Sequence, residues 1–219
     1  MGYRTAGSRI IRYRESFNRV DEPPFLGSNW EMEITPASNL AGVNFDANVN
    51  VGAGMATFGG TGGVPSCVFT PGYVNRQLIK NLSQTRVQYA QFKIRAIVGA
   101  VCSIGPSILK ANPNSNGCYV LVVQAAGQAL QLFRGADLGG SAIIINAAVG
   151  VWVVDDVVRI ESTVTSSQTT IRCYKNGVLQ STDIDNTAGR ISAGMYGIAY
   201  YSSTGASRLS FSDFDGGLT

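Results

Sequence analysis

The sequence predicts an all-β chain, an antiparallel sandwich of two sheets, and three observations carry that prediction. The first is the alternation of Val157 to Val164, with Val158, Ile160 and Val164 on one face and Arg159, Glu161 and Thr163 on the other. A period of two is what a strand with one buried face requires. The second is Asn176-Gly177, set between Thr169–Lys175 and Val178–Asp183. Both residues tolerate the positive φ of a two-residue type I′ turn, which makes this pair a hairpin signal. The third is that no stretch longer than two helical turns has an apolar stripe at helical spacing. With Lys175 opposite Val178, the register predicts Tyr174 facing Leu179, Cys173 facing Gln180 and Ile171 facing Thr182.

Taken in order, the chain opens with a basic segment. Arg4, Arg9, Arg12, Arg14 and Arg19 are five of the 17 basic residues, against the single acid Glu15 in the same stretch. Residues 1–15 have no caps and no turn signature, and read as an extended arm. Arg4, Arg9, Arg12, Tyr13 and Arg14 are its candidate partner-binding residues, because guanidinium and phenol groups suit protein interfaces. Residues 16–219 form the sandwich domain. Asp21-Glu22-Pro23-Pro24 is a rigid break. Trp30, Met32 and Ile34 then alternate with Glu31 and Glu33 as a strand. Val43–Phe45 and Met55–Phe58 are short strands among glycine-rich loops. The Gly59–Gly63 run is read as a flexible turn before a ligand loop, since no Lys-Ser or Lys-Thr follows it.

Val64 to Lys80 holds two short strands around Pro71-Gly72. In Val87 to Val98 the apolar residues fall out of step across Ala90-Gln91, which predicts a bulge there. Gly105-Pro106 interrupts Val101 to Leu109 and places that strand at an edge or a bulge, because proline removes a ladder donor. Cys118 to Val123 is apolar on both faces and should be a central strand covered on both sides. Leu130 and Leu132 flank Gln131. Ile143–Ile145 and Val151–Val154 are expected to complete the core, and Gly194–Tyr201 with Arg208–Phe214 to supply the last strand pair.

Composition bounds the function. Charged residues are only 14% of the 219, glycines number 26, and the net charge is +3, too small to argue for nucleic acid. No apolar run reaches membrane-spanning length, and the basic N-terminus lacks the apolar run of a signal peptide, so synthesis in a cytoplasm is expected. Cys67, Cys102, Cys118 and Cys173 form no C-x-x-C pair and read as buried free thiols. With no histidine anywhere, Ser-His-Asp and Cys-His chemistry is excluded.

The order of "VRIE", "YKNGVLQSTDID", "GMYGI" and "SFSDFDGGL", with Phe17–Asp21, Leu26–Trp30, "QFKIRAIVG" and "NGCYVLVVQAAGQALQLFRG" upstream, resembles the concanavalin A-like (laminin G-like) jelly rolls of phage and bacterial structural proteins. The resemblance spans Ser16 to Leu218. It implies a jelly-roll sandwich and a family that holds lectins, glycosidases, adhesins and virion parts. Related glucanases place their acids on one strand as Glu-x-Asp-x-Glu, a pattern absent here. Glu31-Met32-Glu33 is the nearest imitation, and reads as solvent-facing charge. The expectation is therefore a protein that is not an enzyme: a structural protein of a tailed-phage virion, a capsid decoration or a head or tail surface protein. It would bind other virion proteins through its arm and associate with its own copies. The alternative is a carbohydrate- or receptor-binding module of a tail fibre, with Tyr196, Tyr200 and Tyr201 as glycan candidates. Asp183, Asp185, Asp213 and Asp215 read first as turn-formers and second as a structural calcium site. No cofactor, membrane or nucleic acid is expected.

Overall fold

In the computed structural model the described residues are 11–16, 30–34, 49–52, 55–59, 64–71, 87–98, 102–110, 117–124, 128–135, 143–202 and 208–218. Among them are fifteen strands. They are β1 Ile11–Glu15, β2 Trp30–Ile34, β3 Val49–Gly52, β4 Met55–Gly59, β5 Val64–Pro71, β6 Gln88–Val98, β7 Cys102–Lys110 and β8 Cys118–Gln124. The rest are β9 Ala129–Gly135, β10 Ile143–Val151, β11 Val157–Val164, β12 Thr169–Lys175, β13 Val178–Asp185, β14 Met195–Ser202 and β15 Arg208–Leu218. The expected strand Val43–Phe45, the tip Gly60–Gly63, residues 72–80 and Met1 to Ile10 lie outside the described residues.

Two antiparallel sheets face each other. Sheet A runs β13-β12-β11-β6-β15-β4-β3, and β1 pairs with β15 beyond the reach of β4. Sheet B runs β10-β9-β8-β7-β14-β5-β2. The alternation of β11 does what its pattern demands: Val158, Ile160, Ser162 and Val164 are buried, and Arg159, Glu161 and Thr163 are not. Ala90, Phe92 and Ile94 of β6 turn inward beside them, and Phe92 meets Phe211 of β15 with ring centroids 5.0 Å apart. From sheet B, Tyr119, Leu121, Val123, Leu130 and Leu132 close the same core. Burying this much apolar surface is the main driving force for the sandwich.

The Asn176-Gly177 turn forms as predicted, with φ of 50° and 77°. Asn176 also locks it to the preceding strand: its Oδ1 accepts from Val157 N at 2.8 Å and its Nδ2 donates to Asp156 Oδ1 at 2.6 Å. The register holds for two pairs, Lys175 with Val178 and Tyr174 with Leu179. It then slips, so that Cys173 faces Ser181 and Ile171 faces Asp183. A bulge at Gln180 inserts one extra residue on the outer strand, which a hydrophobic pattern cannot signal where the apolar residues of an edge strand, Val178, Leu179 and Ile184, are exposed.

Three further expectations are corrected. No bulge separates β6 from β11 at Ala90-Gln91, where pairing is continuous from Gln88 to Lys93; the irregularities of β6 lie on its β15 side, between Gln91 and Lys93 and between Ile94 and Ala96. The apolar residues there fall out of step in sequence because Ala90 is a small core residue and Tyr89 faces outward. β7 is not an edge strand; it lies between β8 and β14, with Pro106 opposite Ile198, and its irregularity with β14 falls just beyond, between Ser107 and Lys110, where Leu109 has a φ of 54°. A residue's N–H serves only one of its two neighbours, so an interior proline leaves a single ladder bond unmade. The third correction concerns β10, which is the edge of sheet B. Ile143, Ile144, Val151, Val153 and Val154 are exposed, and Val149 and Trp152 carry that stretch's burial.

The described cysteines are as expected: Cys118 and Cys173 are buried free thiols, and burial pushes the Cys173 thiol up to about 12. Side chains of Cys67 and Cys102 lie outside the described ones. Ser162 Oγ is buried in the core without a hydrogen-bond partner. Since its removal strands no other group, Ser162→Ala should be neutral or stabilise by up to about 1 kcal/mol, read as an unchanged or raised Tm.

Candidate functional site

The outward face of sheet A carries the densest connected set of polar and aromatic groups among the described residues. Its geometry follows from register. Arg14 faces Asp215 across β1 and β15, Asp215 faces Gln91, Gln91 faces Arg159, and Arg159 faces Tyr174. One row thus crosses five strands. In the next row Gly217 faces Tyr89, Tyr89 faces Glu161 and Glu161 faces Arg172. At about 4.8 Å between strands, the longer row spans roughly 19 Å.

The groups hold one another in place. The Arg159 guanidinium lies 3.9 Å from the centroid of the Tyr89 ring, a cation–π stack that fixes its plane. Its Nε donates to Glu161 Oε1 at 2.8 Å, Nη2 donates to the same oxygen, and Nη1 donates to Gln91 Oε1 at 3.1 Å. Tyr174 donates its hydroxyl to Glu161 Oε2 at 3.0 Å, and Tyr89 donates to Asp215 Oδ1 at 3.1 Å. Arg14 Nε stands 3.8 Å from Asp215 Oδ2. Partial burial, with the Glu161 carboxylate beside it, raises the Tyr174 phenol above its ordinary value, so it stays a donor at neutral pH. Along the edge of the platform, Lys93 Nζ at 3.0 Å and Arg95 Nη1 at 2.6 Å hold Asp155. The hydrogen bond from Lys93 is the main cause of that carboxyl's lowered pKa.

Such a surface can do two things chemically. It offers carboxylate, amide, phenol and guanidinium groups in fixed positions, the donors and acceptors that sugar hydroxyls need. It also offers the half-buried Tyr174 ring, against which an apolar sugar face can pack. Gln91, Arg159, Glu161 and Tyr174 are partly exposed and Arg14 is exposed, whereas Tyr89 and Asp215 are buried and hold the exposed groups in place.

The predicted site residues are placed as follows. Tyr13 and Arg14 sit in β1, hydrogen-bonded into the chain's own sheet A: Tyr13 packs on Phe214 with centroids 6.4 Å apart, and Arg14 joins the platform. Arg12 stands opposite Gly217 in the same strand, and Arg4 and Arg9 lie outside the described residues. Tyr196 is no glycan residue, because its ring is fully buried against Gly216. The side chains of Tyr200, Tyr201, Glu31 and Glu33 lie outside the described ones. Asp183 and Asp185 stand in β13, four strands away from Asp213 and Asp215 in β15, so the two pairs share no ion. Asp183 accepts from Asn146 and Ser181, and Asp185 from Tyr119, Arg134 and Thr187. Sequence reasoning put Arg159 and Glu161 on one face but missed the platform. The signal lay in the outward positions of β6, β11 and β12 and needed the pairing of β6 with β11 to be read.

With this geometry established, the chain is a concanavalin A-like jelly roll. No protein-family model matches it, and no curated protein does. Solved structures do. It is similar to an endo-1,3-beta-glucanase from Streptomyces sioyaensis, with 10% identity and TM-score 0.57 over 98% of this chain and 99% of that one. A beta-1,3-glucanase from Mycobacterium marinum gives 11% identity and TM-score 0.53 over 97% and 100%. LamAcat from Zobellia galactanivorans gives 10% and 0.52 over 95% and 97%. These likenesses establish the fold. They also overturn the expectation that the chain is not an enzyme: the architecture, end to end, is one that glucanases carry, so a missing Glu-x-Asp-x-Glu strand and missing histidine do not exclude catalysis.

Proposed function

We propose that this chain is a carbohydrate-binding jelly roll that lays the outward face of sheet A along a polysaccharide, with 1,3-β-glucan the first class to test. The observation that carries the reading is the connected platform of Tyr89, Gln91, Arg159, Glu161, Tyr174 and Asp215, drawn from four strands and held by mutual hydrogen bonds. The shared fold with glucanases supports the substrate class. A particle surface as the place of action is supported by the sequence resemblance to phage structural proteins, with the basic residues Arg4 and Arg9 ahead of β1 as the anchor.

Pull-down on insoluble 1,3-β-, 1,4-β- and α-glucans should retain the wild type on at least one. Arg159→Ala should weaken retention roughly tenfold, the equivalent of about 1.4 kcal/mol for a lost charge-assisted contact. Sugar released in the same tubes reads cleavage, and Glu161→Gln and Asp215→Asn test whether the platform's two carboxylates perform it. Retention of neither protein on any glucan contradicts the reading.

A further inference from the structure

We propose that the glycan laid along sheet A carries carboxylates and that Arg172 and Arg14 bind them. The inference rests on the carbohydrate reading above and narrows its ligand to acidic polysaccharides. Two observations carry it. The first is the charge of the face. One row holds Arg14 and Arg159, and the next runs from Arg12 on β1 through Gly217, Tyr89 and Glu161 to Arg172 on β12. Against these four arginine positions stand two carboxylates, Asp215 and Glu161. Along the platform's edge Lys93 and Arg95 are matched by Asp155 and Asp213, so the excess of positive charge stays in the rows.

The second observation is that Arg172 is left without an anion. Register sets it opposite Glu161, the carboxylate that would ordinarily pair with it across the strands. That carboxylate is already taken, Oε1 by Arg159 and Oε2 by Tyr174. Arg172 instead donates Nη1 to the Thr163 hydroxyl at 3.3 Å, its one hydrogen bond among the described residues, where it forms no ion pair. A guanidinium has five N–H donors in a planar fork, so this partly exposed side chain keeps most of its fork for a ligand. At the far end of the platform Arg14 is 66% exposed and stands 3.8 Å from Asp215, too far for a hydrogen bond. Such a fork takes a carboxylate through two parallel N–H···O bonds, a match that a neutral hydroxyl cannot give. β1 and β12 lie four strand spacings apart, roughly 19 Å, so a chain crossing the strands meets a guanidinium at each end.

Calorimetric titration of the full chain with a 1,3-β-glucan oligosaccharide, and with the same oligosaccharide oxidised to the carboxylate at its primary hydroxyls, tests this. The wild type should bind the oxidised ligand at least about tenfold tighter at low salt, an advantage that shrinks in about 1 M salt as the charges are screened. Arg172→Gln should cut the advantage to about twofold, and Arg172→Lys, which keeps the charge but not the fork, should recover part of it. An oxidised ligand bound no tighter than the neutral one overturns the inference while the carbohydrate reading stands. So does an advantage that Arg172→Gln leaves intact, since a merely structural role would weaken both ligands alike. Binding of neither ligand overturns both.

Discussion

Asp185→Ala should lower the Tm by about 10 °C, the largest single-residue effect the fold predicts. Asp185 belongs to the edge of sheet A, yet it accepts from Tyr119 Oη at 2.7 Å and from Arg134 Nη1 at 2.5 Å, both of sheet B. Thr187 adds its backbone N–H at 3.1 Å and its hydroxyl at 2.7 Å. The carboxylate side chain is 3% exposed and the guanidinium 13%. Removing the acid leaves a cation and a phenol buried without their acceptor, which costs about 3–5 kcal/mol. At about 2–4 °C per kcal/mol for a chain of this size, that gives the expected shift. Arg134→Met on the Asp185→Ala background should recover part of the loss, since it removes the stranded charge.

The same group sets a pH dependence. Burial pushes the Asp185 carboxyl up, but the hydrogen bonds from Tyr119, Thr187 and Arg134 outweigh it, and the folded pKa lies below the ordinary value. A depressed folded pKa contributes stability that is present above the unfolded pKa and is lost as pH falls through the folded one. The gap in Tm between the wild type and Asp185→Ala should therefore hold at neutral pH and narrow below about pH 4. Tyr119 responds in the opposite sense, its phenol raised to about 12 by burial and the adjacent carboxylate, so it stays protonated throughout.

Gly105→Ala is the second large effect. A Cβ there would stand 2.2 Å from the carbonyl oxygen of Leu121 and 2.7 Å from Val120 Cγ1, both in the neighbouring strand β8. Backbone at the centre of a sheet cannot yield as a flexible side chain can, so strands β7 and β8 must separate. A cost of about 3 kcal/mol or more is expected, read as a Tm drop of at least roughly 6 °C or as failure to accumulate soluble protein. Gly177→Ala is the contrast. It meets no atom within 4 Å, and its cost is limited to the left-handed φ of 77°.

These cases show what the residues reveal alone. The strands β11 to β13 were legible because their contacts are local: alternation, a two-residue turn and a short return determine one another. The interruption at Gly105-Pro106 was visible, but its meaning was not. Whether a glycine marks an edge or a close approach depends on Leu121, whose strand position is fixed by the whole sheet. β10 looked like core because Ile143 and Ile144 are apolar, and only the sheet order makes it an edge. The platform was illegible for the same reason, since Gln91, Arg159 and Asp215 meet through pairings between segments more than 50 residues apart in sequence. The missing catalytic pattern misled in another way: an absent motif describes one solution on a fold, and the fold admits others.

The central claim is that the outward face of sheet A binds glycan. Calorimetric titration of the wild type, Arg159→Ala, Tyr174→Ala and the remote control Asn186→Ala with soluble 1,3-β-glucan oligosaccharide tests it directly. The predicted result is saturable binding by wild type and control, weakened roughly tenfold or more in both platform variants. Equal binding by all four proteins, or heat from none, would contradict it.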